Sequence, residues 1–254
     1  MQKILISGHN PTFKNNFMNS LQFKKTIVTL DGYDGAVKSS HINYYAYFRR
    51  YNDEQLIELI KNLLYVHETP HANIIFVENY LLFLKKLMRV LNKNMTLLDA
   101  FIQCENYEIV KQEFNKLLQT QAIDLSVFDY YMNQYIGFHT TEFISIEMLI
   151  VLLFKNTGCP PLRCSTIQLD EINQDVHLYL INEMMKVTHQ PLILIEDHKQ
   201  YNTQTLKRFF EMNKEDYPLI AIFKDIFLHE ELISQIPYLF SPKIYLNHSE
   251  HSAN

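Results

Sequence analysis

Six short apolar runs constrain the fold of this chain more than any other feature: Lys3–Ser7 (KILIS), Lys25–Leu30 (KTIVTL), Asn73–Val77 (NIIFV), Leu192–Glu196 (LILIE), Leu219–Phe223 (LIAIF) and Lys243–Asn247 (KIYLN). Bare runs without polar alternation suit strands covered on both faces, as in a parallel sheet. Between the runs lie longer stretches with helical spacing. Apolar residues at 56, 57, 60, 63 and 64 follow Asn52, and Gln55 three residues on completes a capping box. Tyr80, Leu84, Leu87 and Leu91 form one stripe over Asn79–Asn94. Met95–Phe154 reads as nearly continuous helix. Ile172, Val176, Leu180, Met184 and Val187 make a further stripe, with Asp170 as its expected N-cap, and TQTLKRFFEM after Asn202 makes the last.

Strands at both ends and helices in the middle predict an α/β fold. A mostly parallel α/β head, residues 1–79 and 186–248, is split by an inserted helical domain, residues 80–185, and 249–254 form a frayed tail. The most apolar window, FISIEMLIVLLF from Phe143 to Phe154, is shorter than the ~20 residues a membrane span needs and carries Glu147, so a buried core helix is expected. ILIS is too short for a signal core. Three cysteines fit a reducing compartment, and a cytoplasmic protein is expected. Cys159 and Cys164 flank PPLR, but one pair is no zinc site, and His67 and His71 are separated by a helix-breaking ETPH. DGYDG, Asp31–Gly35, reads as a turn whose two acids could also help hold a cation.

The segment ILISGHNPTFKNNF has the outline of a phosphate-binding loop, G-x-x-x-x-G-K-[ST] between a strand and a helix. Gly8 and Lys14 stand in their slots. Phe13 replaces the second glycine and is expected to crowd the backbone where phosphate would sit; Asn15 replaces the Mg²⁺-binding hydroxyl. Only five glycines occur in 254 residues, few for a chain that wraps phosphates in backbone N–H groups. LILIEDHK supplies Glu196 and Asp197 where a partner acid motif would stand, in reversed order. A degenerate loop with no nucleotide bound and no catalytic residue is one expectation. A working ATPase of the ABC or AAA type is the rival.

Net charge is −5, which lacks the overall basic footprint of a nucleic-acid binder but leaves room for a local patch. Lys85, Lys86, Arg89 and Lys93 share one helix face opposite the leucine stripe, uninterrupted by acid in the sequence. Such a face could grip successive phosphates of duplex DNA, or be an ordinary solvated surface. Arg49 and Arg50 beside Tyr44, Tyr45, Tyr47 and Phe48 form a second basic-aromatic cluster, equally compatible with core packing.

From 143 to 225 the order FISIEMLIVLLF, INQDVHLYLINEMMKV, HQPLILIEDHKQYNTQTLKRFF and PLIAIF resembles the ring-forming spacer-acquisition protein of type II-A CRISPR systems. That resemblance implies an α/β head related to P-loop ATPases, a helical leg and a dead nucleotide site. It also implies a tetrameric ring that holds double-stranded DNA ends and works with other adaptation proteins, and Ca²⁺ at acidic sites. On residue chemistry, Lys85, Lys86, Arg89 and Lys93 are candidates for DNA phosphates, with Glu196 and Asp197 as candidate cation ligands. An adaptor that binds only protein partners is a further alternative.

Overall fold

A computed structural model gives the fold; the described residues are 3–8, 10–23, 25–66, 74–91, 94–103, 107–138, 151, 153–155, 166–212, 218–229, 232, 238 and 240–246. The chain divides into two compact units, 1–42 with 159–254, and 43–158. The first unit is α/β. Its strands are β1 (Ile4–Ser7), β2 (Thr26–Thr29), β3 (Val37–Lys38), β4 (Thr166–Gln168), β5 (Leu192–Glu196), β6 (Leu219–Phe223) and β7 (Lys243–Tyr245). They form one seven-stranded sheet in the order β3-β4-β2-β5-β6-β1-β7, every pair parallel. The parallel α/β architecture is therefore as the apolar runs predict. Between β5 and β1, strand β6 is buried at all five positions, the pattern of a strand covered on both faces.

Helix α1 (Pro11–Ser20) begins after three residues that follow β1. Phe13, Phe17 and Met18 of α1 pack on the sheet cluster of Ile6, Ile193, Ile220 and Ile222. The helix Gln174–Thr188, here α8, is buried on most of its circumference, from Val176 through Met185, as a helix enclosed by its neighbours must be. Helix α9 (Thr203–Met212) buries Leu206, Phe209 and Phe210 and packs on α8.

The second unit is helical: α2 (Tyr45–Phe48), α3 (Asp53–Val66), α4 (Ile74–Val90), α5 (Leu97–Gln103), α6 (Tyr107–Gln119) and α7 (Leu125–Phe138). The capping box forms: the Asn52 N–H donates to Gln55 Oε1 (3.1 Å) and the Gln55 N–H to Asn52 Oδ1 (2.9 Å). Leu56, Ile60, Leu63 and Leu64 of α3 and Tyr80, Leu84 and Leu87 of α4 are buried, as their spacing predicts. The insertion enters the sheet between β3 and β4, which are neighbours.

Several expectations need correction. The insertion runs from 43 to 158 and not from 80 to 185, so α3 belongs to the helical unit and α8 to the head. NIIFV is no strand: Ile74–Val77 are the first turn of α4, because a short apolar run has no period of its own and the helical stripe downstream decides it. Strands β3 and β4 are too short to stand out as apolar runs. Ile172 and Val187 are exposed, at 78% and 42%, so only the middle of that stripe is core. Asp170 does not cap α8; Asn173 does, in the left-handed region (φ 55°) and without a side-chain bond. DGYDG is a turn, with Gly35 at φ 79°. His67, His71, Lys93, Cys159, Cys164, most of 143–154 and the tail lie outside the described residues. Among the described residues no helix is long and apolar enough to cross a membrane.

The His177 imidazole is buried in α8, and desolvation holds it down to about 4 from an ordinary 6.5, with Asp170 and Asp175 opposing the shift. Between those values the unfolded chain binds the proton and the folded chain does not, so stability falls as pH drops from about 6.5 towards 4. Denaturant unfolding should show a loss of up to ~3 kcal/mol from this group across that window. His177→Asn should flatten that part of the profile; an unchanged slope would show that another group carries it.

Candidate functional site

Parallel strands all end at one edge of a sheet, and ligands of α/β folds bind there. In this head the edge carries Ser7 and Gly8 after β1, Asp31 after β2, Glu196 and Asp197 at β5, and Lys224 and Asp225 after β6. Register places both Ser7 and Glu196 opposite Phe223, from the two flanking strands.

After Gly8 the chain enters a helix at Pro11, earlier than a phosphate-loop spacing would have it. Asn10 caps α1, its Oδ1 accepting the Phe13 N–H (2.9 Å) and its carbonyl the Lys14 N–H (3.0 Å). Pro11, suited to the first helical position, has no N–H to give. Residues 11–15 are thus helix, and the N–H groups of Phe13 and Lys14 are consumed inside it. Phe13 does not crowd a phosphate space. It stacks on Phe17 (6.3 Å, 9°) against the sheet, because position 13 lies on the apolar face of α1. Asn15 is exposed on the same helix. Gly8 has a role of its own: at φ 129° it sits where a Cβ would collide with the Leu246 carbonyl oxygen. Its N–H donates to Phe223 O (3.2 Å), and the Leu246 N–H donates to Ser7 O (2.7 Å), closing the edge between β6, β1 and β7.

Lys14 and Asp197 do meet. Lys14 Nζ stands 3.4 Å from Asp197 Oδ1, with the lysine side chain only 12% exposed. Asp197 Oδ2 accepts the Tyr33 hydroxyl (2.7 Å). Burial, with the Asp197 bond and charge behind it, pushes the Tyr33 phenol well above its ordinary value and keeps it a donor. Glu196 turns the other way. It is 1% exposed; its Oε2 accepts the Tyr201 N–H (2.9 Å) and lies 2.9 Å from His229 Nε2. His229 Nδ1 in turn lies 2.9 Å from Thr203 Oγ1.

A threonine, a histidine and a glutamate in series have the order of a nucleophile, base and acid. At that helix start the Gln204 and Thr205 N–H groups both go to Asn202 Oδ1 (2.9 and 3.3 Å). The series links β5, α9 and the turn after β6 in the buried interior of the head. Tyr33, Tyr201, Thr203 and His229 carry no spacing signal in the sequence; only the fold brings them to Glu196 and Asp197.

As arranged, Glu196 and Asp197 do not fit calcium, which takes six to eight oxygens. Both Asp197 oxygens and one Glu196 oxygen have protein partners, and Asp31 Oδ2 accepts the His198 N–H (3.0 Å). Glu196 Oε1 is buried without a hydrogen-bond partner, a single orphan among the described residues. Among the same residues no group of three or more His, Cys, Asp or Glu side chains is placed to hold a metal.

The candidate DNA cations lie in the helical unit. Lys85 is ion-paired with Asp53 at the start of α3, an acid that the sequence of its own helix does not reveal. Lys86 and Arg89 are exposed and have no ion-pair partner among the described residues. In the second cluster Tyr44, Tyr47 and Phe48 are core, Phe48 meeting Phe154 edge-on at 5.9 Å, while Arg49 and Arg50 remain exposed. No family model, curated protein or solved structure matches the chain.

Gly8→Ala should cost roughly 1–3 kcal/mol of stability through its positive φ and the Leu246 collision, measured by urea unfolding; wild-type stability would refute the packing role. His229→Ala should cost a similar ~1–3 kcal/mol, because it leaves the buried Glu196 carboxylate with one partner fewer.

Proposed function

We propose that this chain is a non-enzymatic protein of the cytoplasm that binds double-stranded DNA, at free ends and without reading sequence, as an oligomeric ring, and so assists CRISPR spacer acquisition. The observation that carries this is the winding of residues 11–15 into α1 behind the Asn10 cap. A head in which the Phe13 and Lys14 N–H groups are engaged inside a helix, and Lys14 is paired to Asp197, supports a reading without nucleotide chemistry. The same winding weighs against the ATPase alternative.

Support for DNA comes from the helical unit. Lys86 and Arg89 on α4, and Arg49 and Arg50 after α2, are exposed cations with no ion-paired acid among the described residues. Lys85 contributes less, since Asp53 already holds it. Exposed cations act on phosphates through charge, which makes binding salt-dependent and indifferent to base sequence. The ring, its tetrameric state and its adaptation partners come from the resemblance between 143 and 225. No step of DNA binding is assigned to calcium.

The test is a gel shift at low salt on linear and closed-circular duplexes, with solution mass and ATP turnover measured on the same preparation. Linear DNA should be retained preferentially, with no turnover above background. Lys86→Glu with Arg89→Glu should weaken binding and lower the slope of log K against log salt by about 2, close to one unit per lost phosphate contact. Equal retention of both DNA forms would overturn the threading of ends. Unchanged DNA binding by the double variant would move the interface off α4, and absence of any DNA binding would favour an adaptor of protein partners.

A further inference from the structure

Past the carboxyl ends of β3, β4 and β2, three neighbouring strands, the head holds a cleft of about 530 Å³. Its size falls within the range of small-molecule sites. β5 and β6 separate these strands from β1, so the cleft is distinct from the Gly8 segment. No described residue of the helical unit lines it.

The polar lining sorts into engaged and free groups. Asp170 accepts the Ser39 hydroxyl (2.9 Å) and the Ser40 N–H (2.7 Å), and Glu171 holds Lys199 at 2.6 Å. Both acids of the lining are thus already partnered. The side chains of Lys38 at the end of β3, Gln168 at the end of β4 and Asn173 before α8 make no hydrogen bond or ion pair with any other described residue. The free inventory is one full cation and two amides. Asn173 stands at the N-cap of the fifteen-residue α8 without a side-chain bond, and in the first turn Asp175 Oδ1 accepts the Val176 N–H (2.9 Å), so the helix start is satisfied from within. Leu30, Leu169 and the exposed Ile172 add apolar surface.

We propose that this cleft binds a small phosphate-bearing molecule. Lys38 would supply the point charge that phosphate accepts, and the two amides would bond its oxygens. Leu30, Leu169 and Ile172 would hold the body of the ligand. Three donor side chains suit the three oxygens of a phosphomonoester better than the two of a carboxylate.

Calorimetric titration of the full chain with adenosine monophosphate, inorganic phosphate and succinate tests it. The monophosphate should bind once per chain, more tightly than phosphate alone, and more tightly than succinate. Lys38→Glu should weaken it at least about tenfold, as loss of a charged hydrogen bond does. Gln168→Ala should weaken it less, and Lys14→Ala should leave it unchanged. Lys38 is exposed, so its variant should fold, and its retention of linear DNA should match the wild type, which separates this outcome from failure of the DNA-binding proposal. Equal affinity in Lys38→Glu, loss in Lys14→Ala instead, stronger binding of succinate, or no heat with either phosphate probe at millimolar concentration would overturn the assignment.

Discussion

Parallel pairing on both sides of β6 is the constraint from which the rest of the head derives. Leu219 through Phe223 is buried throughout, with β1 on one side and β5 on the other in matched register. A strand enclosed in this way needs helices over both faces, and α1 supplies part of that cover through Phe13, Phe17 and Met18. Parallel pairing also sends every strand out at one edge. Polar residues begin where the apolar runs stop, so Ser7, Asp31, Glu196 and Asp197 gather there although they come from three distant segments of the chain.

At that edge a local signal defeats a motif. Asn10 and Pro11 are strong helix-start residues, and they open α1 inside the stretch that a phosphate loop would need as loop. Once the helix starts early, the positions of Phe13 and Phe17, four apart, face the sheet. Lys14, one residue on, is carried to the carboxyl edge and meets Asp197. The apparent degeneracy of the motif and the packing of α1 are thus one fact. Glu196 is removed from solvent chemistry by a separate route, through the Tyr201 N–H and His229, which anchor the loops after β5 and β6.

In sequence the helical unit falls between the edge strand β3 and its neighbour β4. An insertion there interrupts no central pairing, which is why residues 43–158 can be accommodated without loss of the parallel core. Its charge is distributed unevenly. Asp53 and Glu78 take up Lys85 and Lys61 across the α3–α4 pair, leaving Lys86 and Arg89 for solvent or a polyanion.

The sequence alone determined the α/β class, five of the strands, the capping box of α3, the core stripe of α4 and the presence of a helical insertion. Each of those rests on residues within a few turns or one strand of each other, where period and cap chemistry act directly. It misplaced the ends of the insertion, and it read Ile74–Val77 as a strand, because a short apolar run takes its identity from what it packs against. Asp170, expected to cap α8, instead binds Ser39 and Ser40, more than a hundred residues away. Only the tertiary structure decided that Lys14 is paired, that Lys85 is shared with Asp53, that Glu196 is buried on His229, and that Lys38, Gln168 and Asn173 line one cleft. Those are encounters between distant segments, and they are set by strand order and register, which no local pattern of residues encodes.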